Sequence, residues 1–85
     1  MVYQLRIKPS AEKELRRLPE KGFRRVLSAL TFLSFDPFVG KKMRGDYDGQ
    51  YTYRVWPYRI IYEIYKKELL VLVVAIGHRQ GIYNK

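Results

Sequence analysis

Three strand-like runs follow one another almost without interruption near the C-terminus: YTYRVW (51–56), YRIIYEIYK (58–66) after Pro57, and LLVLVVAIG (69–77). Breaks this short leave room only for tight hairpin turns, so the three runs predict an antiparallel meander on which the rest of the chain must pack. The last run is apolar on both faces and rich in Val and Leu, which predicts a central strand covered on each side.

The N-terminal half supplies the cover. VYQLRIK (2–8) alternates with a period of two, placing Tyr3, Leu5 and Ile7 on one face and Gln4, Arg6 and Lys8 on the other, as in a half-buried strand. Pro9 stops it, and Ser10 is positioned to cap a helix whose Ala11, Leu15 and Leu18 recur at helical spacing. Pro19 ends that helix. A second begins near Glu20 or Lys21, sets Phe23, Val26, Leu27, Leu30 and Leu33 on one stripe, and breaks at Asp36-Pro37. GKKMRGDYDGQ (40–50) is polar and punctuated by glycine, which predicts a loop, basic at its start. The expected architecture is a single α+β domain over residues 1–85 in the order β-α-α-β-β-β. A two-helix hairpin packs on one face of a four-stranded antiparallel sheet and leaves the other face partly open.

Composition narrows the partners. Seventeen Lys and Arg against eight Asp and Glu give a net charge of +9 on 85 residues, which attracts polyanions or acidic proteins and also serves solubility. Between Arg6 and Arg25 the cations Lys8, Lys13, Arg16, Arg17, Lys21 and Arg24 outnumber Glu12, Glu14 and Glu20, so the outer face of the hairpin should be positive. The chain has no cysteine, which excludes disulfides and thiolate chemistry and suits a reducing, cytoplasmic setting. Its opening residues lack the apolar core of a signal peptide, and its longest apolar run, 69–76, is far below the roughly 20 residues a membrane helix needs, so no membrane association is expected. His78 is the one histidine, which rules out a two-histidine ribonuclease centre. No His, Cys or carboxylate cluster has metal-ligand spacing and no glycine-rich phosphate loop is present, so no metal or cofactor is expected.

The feature that asks for an explanation is a pair of arginines. If the first two runs of the meander turn about Trp56-Pro57, Arg54 lies opposite Arg59, about 5 Å away, where like charges cost roughly 0.2–1 kcal/mol. Alternation puts Thr52 and Trp56 on the face of Arg54, and Ile61 and Glu63 on the face of Arg59. A turn at 66–68 would place Ala75 near Arg59, with Arg79 on the same parity some 13 Å further along at about 3.3 Å per residue, so that Arg79 joins the pair only if the chain bends at Gly77 or Gly81. Convergent guanidinium groups on an open sheet face can grip a phosphate through bidentate hydrogen bonds and offset charge on a phosphorane, and a tyrosine such as Tyr83 can stack on an unpaired base. The competing expectation is that Arg54 and Arg59 form surface ion pairs with Glu63 or Asp48. Parity points His78 away from Arg79, as for a structural histidine.

These residues are also where the chain resembles the RelE family of type II toxin–antitoxin toxins. SAEKELRRLP, KMRGD, YTYRVWPYRIIYEI and LLVLVVAIGHRQGIY fall in that family's order and spacing across nearly the whole length. The resemblance implies a β-α-α-β-β-β toxin that enters the A site of the 70S ribosome, cuts mRNA there without a metal, and is silenced by a bound antitoxin. It further implies that Arg59 and Arg79 stabilise the phosphorane, that Tyr83 orients a base and is a candidate general base, and that Arg54 binds phosphate or helps protonate the leaving oxygen. Thr52 departs from the pattern, since the family has a lysine there with a role in proton abstraction. Two alternatives stay open. One is the related ParE type, which shares the fold but poisons DNA gyrase by protein contact; the other is a degenerate member that only binds antitoxin and RNA. The positive surface further predicts an antitoxin segment that is acidic and amphipathic.

Overall fold

The computed structural model describes residues 2–45 and 49–78. In chain order it contains β1 (Gln4–Ile7), α1 (Pro9–Arg16), α2 (Glu20–Phe35), a 3-10 turn at Pro37–Val39, β2 (Lys41–Lys42), β3 (Tyr51–Val55), β4 (Tyr58–Tyr65) and β5 (Leu70–His78). Both helices lie against one side of the sheet, so the α+β class is as expected. Neither helix is long and apolar enough to cross a membrane.

The sheet differs from expectation in two respects. It has five strands rather than four, in the order β1-β5-β4-β3-β2, because Lys41 and Lys42 pair antiparallel with Thr52 and Tyr51. It is also mixed, because β1 runs parallel to β5, with Leu5 beside Val71 and Ile7 beside Val73. Hairpin turns force antiparallel neighbours, and β3, β4 and β5 obey that rule. Strand β1 reaches the sheet through both helices, and a helical crossover permits the parallel arrangement. Lys41 and Lys42 carry no apolar alternation, so nothing in their own sequence marks a strand.

One face of the sheet carries the core. Tyr62, Ile60, Val71, Val73 and Ile76 pack beneath Val26, Leu30 and Leu33 of α2 and Ala11 and Leu15 of α1. Burying each such aliphatic side chain contributes roughly 1.5–3 kcal/mol against the entropy of ordering it. The apolar positions of β5 change parity from Val71 and Val73 to Ile76. A bulge allows this: Tyr62 pairs with Val73 while Ile61 pairs with Ala75, which leaves Val74 as the extra residue. Strand β5 is thus interior, with its second face half-buried rather than fully covered.

Helix α2 begins at Glu20 as expected, whereas the start of α1 differs slightly. Pro9 occupies the first turn of α1, where its missing N–H costs nothing, and Lys8 rather than Ser10 is the capping position. Leu27 lies off the buried stripe of α2 and is exposed.

Tyr62 is the largest fully buried side chain. It donates its hydroxyl to the Pro37 carbonyl at 2.7 Å. Burial pushes this phenol up to about 12 from the usual 10, against a smaller opposing effect of the Gly40 amide. A phenol with a raised folded-state pKa contributes stability that is intact below pH 10 and is lost as pH climbs toward 12. We expect a loss of roughly 2 kcal/mol by pH 12 at about 1.4 kcal/mol per unit, measured by urea unfolding. Tyr62→Phe should flatten that slope; an unchanged alkaline slope in the variant would exclude Tyr62 as its source.

Candidate functional site

The strand register places the two arginines as expected. Arg54 pairs directly with Arg59 across β3 and β4, and Val55 pairs with Tyr58, so Trp56 and Pro57 alone form the turn, joined by a cis peptide bond. A proline in cis at the third turn position closes a two-residue connection without the positive φ that other tight hairpins require. The tip is held from the helix side. Arg25 donates to the Trp56 carbonyl at 2.7 Å, and α2 approaches so closely at Gly22 that a Cβ there would strike the Tyr58 ring. Helix α2 therefore fixes the hairpin that carries both guanidinium groups.

On the face away from the helices, the pairings Lys41 with Thr52, Thr52 with Ile61, and Ile61 with Ala75 form one transverse row. Arg54, Arg59 and Gly77 form the next. Gly77, not Ala75, therefore sits opposite Arg59. The two-residue difference has two sources. The β4–β5 turn takes four residues, 66–69, with Leu69 at a φ of 51°, and the Val74 bulge adds one more. The described end of β5 thus lies beside Arg59, closer than the expected register allowed. Arg79 and Tyr83 lie outside the described residues, as does Asp48.

Arg59 is half-buried and lines a cleft of about 720 Å³ together with Thr52 and the segment Lys41, Lys42, Met43 and Arg44. Gly45 and Gly49 take φ of 71° and 92° in that basic loop, which closes through a hydrogen bond from Met43 N to the Gln50 carbonyl. Arg54 is more exposed and lines a different depression of about 470 Å³ between α2 and β3, with Arg24, Arg25 and Trp56. The two arginines are thus cross-strand neighbours at a divide between two cationic hollows. Lys41, Lys42 and Arg44 were not among the expected site residues. Their only signal is the cation-dense KKMR beginning directly after Gly40.

Two neighbouring titratable side chains, Glu63 and His78, have partners of their own. Glu63 accepts hydrogen bonds from Gln50 at 3.1 Å and from the Tyr65 hydroxyl at 2.7 Å. That carboxylate holds the Tyr65 phenol above its ordinary pKa. Among the described residues, the tyrosines with shifted pKa values, Tyr62 and Tyr65, are therefore shifted away from proton abstraction. His78 pairs with Tyr58 and meets its ring edge-on at 6.3 Å on the helix-facing side, away from Arg59. Among the described residues, no group of three His, Asp or Glu side chains is placed to hold a metal ion. The chemistry this arrangement offers is recognition of anionic oxygens by fixed cations.

Comparison with known proteins agrees with the geometry. The sequence model for the ParE toxin of the type II toxin–antitoxin system parDE matches residues 5–83. Two curated toxins of Mycobacterium tuberculosis are similar: Toxin RelG, 31% identical and covering all of both chains, and Toxin RelE, 30% identical over 96% of this chain and 87% of that one. Among solved structures, the RelBE2 toxin–antitoxin complex of the same organism superposes with a TM-score of 0.87 at 28% identity, covering 93% of each chain. A match over almost the whole length, the shared fold and the cationic face on the β3–β4 hairpin agree: this chain belongs to the ParE-toxin family, within the RelE/ParE superfamily of type II toxin–antitoxin toxins.

Proposed function

We propose that this toxin is a metal-independent endoribonuclease that cuts mRNA in the ribosomal A site. The observation that carries the reading is the direct opposition of Arg54 and Arg59, two like charges on the sheet face away from the helices, beside a cationic cleft. In the reaction a ribose 2′-hydroxyl attacks its own 3′-phosphate, a 2′,3′-cyclic phosphate forms, and the 5′-oxygen leaves with a proton. Arg59 offsets the charge of the phosphorane, and Arg54 binds phosphate or assists the leaving oxygen. Arg79 and Tyr83 contribute a third guanidinium and a stacking ring, as the family resemblance implies. Arginine is always protonated and is no base, so the proton acceptor is Tyr83 or a group of the ribosome. The site of action is the cytoplasm, where ribosomes and mRNA are.

A ParE-type action on DNA gyrase is the second reading, favoured by the description of the matching family and by Thr52 in place of a lysine. Mapping the 5′ ends of cellular mRNA after brief induction, beside a gyrase supercoiling assay, separates the two. New ends within codons with normal supercoiling support cleavage, whereas inhibited supercoiling with intact mRNA refutes it.

The natural partner is an antitoxin. The RelBE2 relative is a toxin–antitoxin complex, and the groove of Arg24, Arg25, Arg54 and Trp56 suits an acidic amphipathic segment. Affinity should fall steeply as salt rises, since exposed cations are screened within about 10 Å at 0.1 M. Titration calorimetry at two ionic strengths tests this, and equal affinities at both would argue against a charge-led interface.

A further inference from the structure

Thr52 is buried, with 7% of its surface exposed, and its hydroxyl has no hydrogen-bond partner among the described residues. Leaving a buried hydroxyl unpaired is unfavourable, and such a group commonly marks a place where a ligand atom belongs. Thr52 lies in the wall of the cleft that holds Arg59. Directly across from it on the edge strand is Lys41, exposed and lining the same cleft. A wall residue with a buried, unpartnered hydroxyl and an exposed cation therefore border the same cleft.

Spacing relates this pair to Arg59. Lys41 and Arg59 are separated by two inter-strand steps of about 4.8 Å and two residues of about 3.3 Å, so their Cα atoms stand roughly 12 Å apart. Long side chains reaching inward from both ends bring two cations to neighbouring positions on one extended strand, not to one shared atom. Met43 supplies an apolar surface between the cations of the rim, Lys42 and Arg44.

We propose that Lys41 and the Thr52 hydroxyl form a second phosphate subsite beside Arg59, which holds the adjacent phosphate of the same RNA strand. The inference rests on the reading of the chain as an RNA-cleaving toxin and adds a binding register to it. Lysine acts here as a point charge on non-bridging oxygens, and the threonine donates a single hydrogen bond to the same phosphate.

The test is equilibrium binding of a short single-stranded RNA with 2′-O-methyl groups, which blocks the nucleophile and removes cleavage from the measurement. Fluorescence anisotropy from about 50 to 300 mM KCl gives the slope of log affinity against log salt, which changes by about 0.7 for each phosphate contact on a single strand. Lys41→Gln should reduce the slope by about 0.7 and weaken binding roughly five- to tenfold near 0.1 M salt. Thr52→Val should weaken binding about three- to tenfold with the slope unchanged, because it deletes a neutral hydrogen bond. Its melting temperature should not fall, since the lost hydroxyl had no partner. Lys13→Gln, on the outer face of α1, should keep the wild-type slope. A wild-type slope in Lys41→Gln, or wild-type affinity in Thr52→Val, overturns the subsite while leaving the RNA reading in place. Failure of the wild-type chain to bind the oligonucleotide also overturns the subsite, while the cleavage reading stands or falls on the mapped 5′ ends.

Discussion

Arg59→Ala should lower cleavage of ribosome-bound mRNA by roughly two to three orders of magnitude, the loss typical of removing one preorganised group that stabilises transition-state charge. The reasoning starts from position. Arg59 sits on β4, the middle strand of the sheet, is half-buried, and lines the cleft with Thr52 and the β2 segment. A guanidinium held on a rigid strand loses little by reorganising when charge develops, whereas a solvated surface cation supplies far less. Arg59→Lys should recover only part of the rate, because an ammonium cannot make the planar, two-point contact. Arg54→Gln should cost less, about tenfold, since Arg54 is more exposed and also borders the helix-side groove. The same substitution should raise folding stability by about 0.2–1 kcal/mol, because it relieves the direct opposition to Arg59. Activity and stability moving in opposite directions would separate a functional loss from a folding defect. Primer extension on stalled ribosomes measures the first quantity and thermal unfolding the second. Cleavage within about threefold of wild type in Arg59→Ala would remove this residue from the mechanism.

The Arg54–Arg59 pairing was legible because a short turn fixes register, and Trp56-Pro57 leaves almost no freedom in where the strands meet. Two further features were not legible, for different reasons. At the β4–β5 turn a leucine, Leu69, takes the left-handed conformation that glycine or asparagine usually supplies, so nothing in the sequence marks the turn's fourth residue. The bulge at Val74 sits within an unbroken Val and Leu run, where no polar residue marks a change of parity. Together these shift Gly77 opposite Arg59 and alter which residue of β5 flanks the site. Strand β2 escaped notice for a third reason. Two exposed lysines have no apolar pattern, and their pairing is imposed by the chain on either side: Gly40 packed against Tyr62, and the loop closed by Met43 and Gln50. The cationic cleft depends on that short strand, so the part of the site hardest to read is the part that local sequence preference contributes to least.

This dependence leads to a strong prediction at Gly40. Its backbone is in a region open to any residue, so the requirement for glycine is steric. A Cβ there would run into the Tyr62 hydroxyl and come within 3.0 Å of the Thr52 carbonyl. Tyr62 cannot swing aside, because it is fully buried, stacked at 5.7 Å on Tyr51, and tied to the Pro37 carbonyl. Gly40→Ala should therefore destabilise the fold by about 3 kcal/mol, at the upper end for overpacking a filled site. Tyr62→Phe alone should cost about 1–3 kcal/mol, since it orphans a buried carbonyl. The two losses should not add. Removing the hydroxyl opens the space that the alanine methyl needs, so the double variant should be more stable than the sum predicts by about 1–2 kcal/mol, within the range seen for residues in contact. Gly40→Ala should also weaken RNA binding more than its stability loss explains, because the strain is transmitted to Lys41 at the next position, and Tyr62→Phe should restore that binding in part. Denaturant unfolding of the four proteins gives the coupling energy. Strict additivity would mean that Gly40 and Tyr62 do not share the contact on which the placement of β2, and with it the cleft, depends.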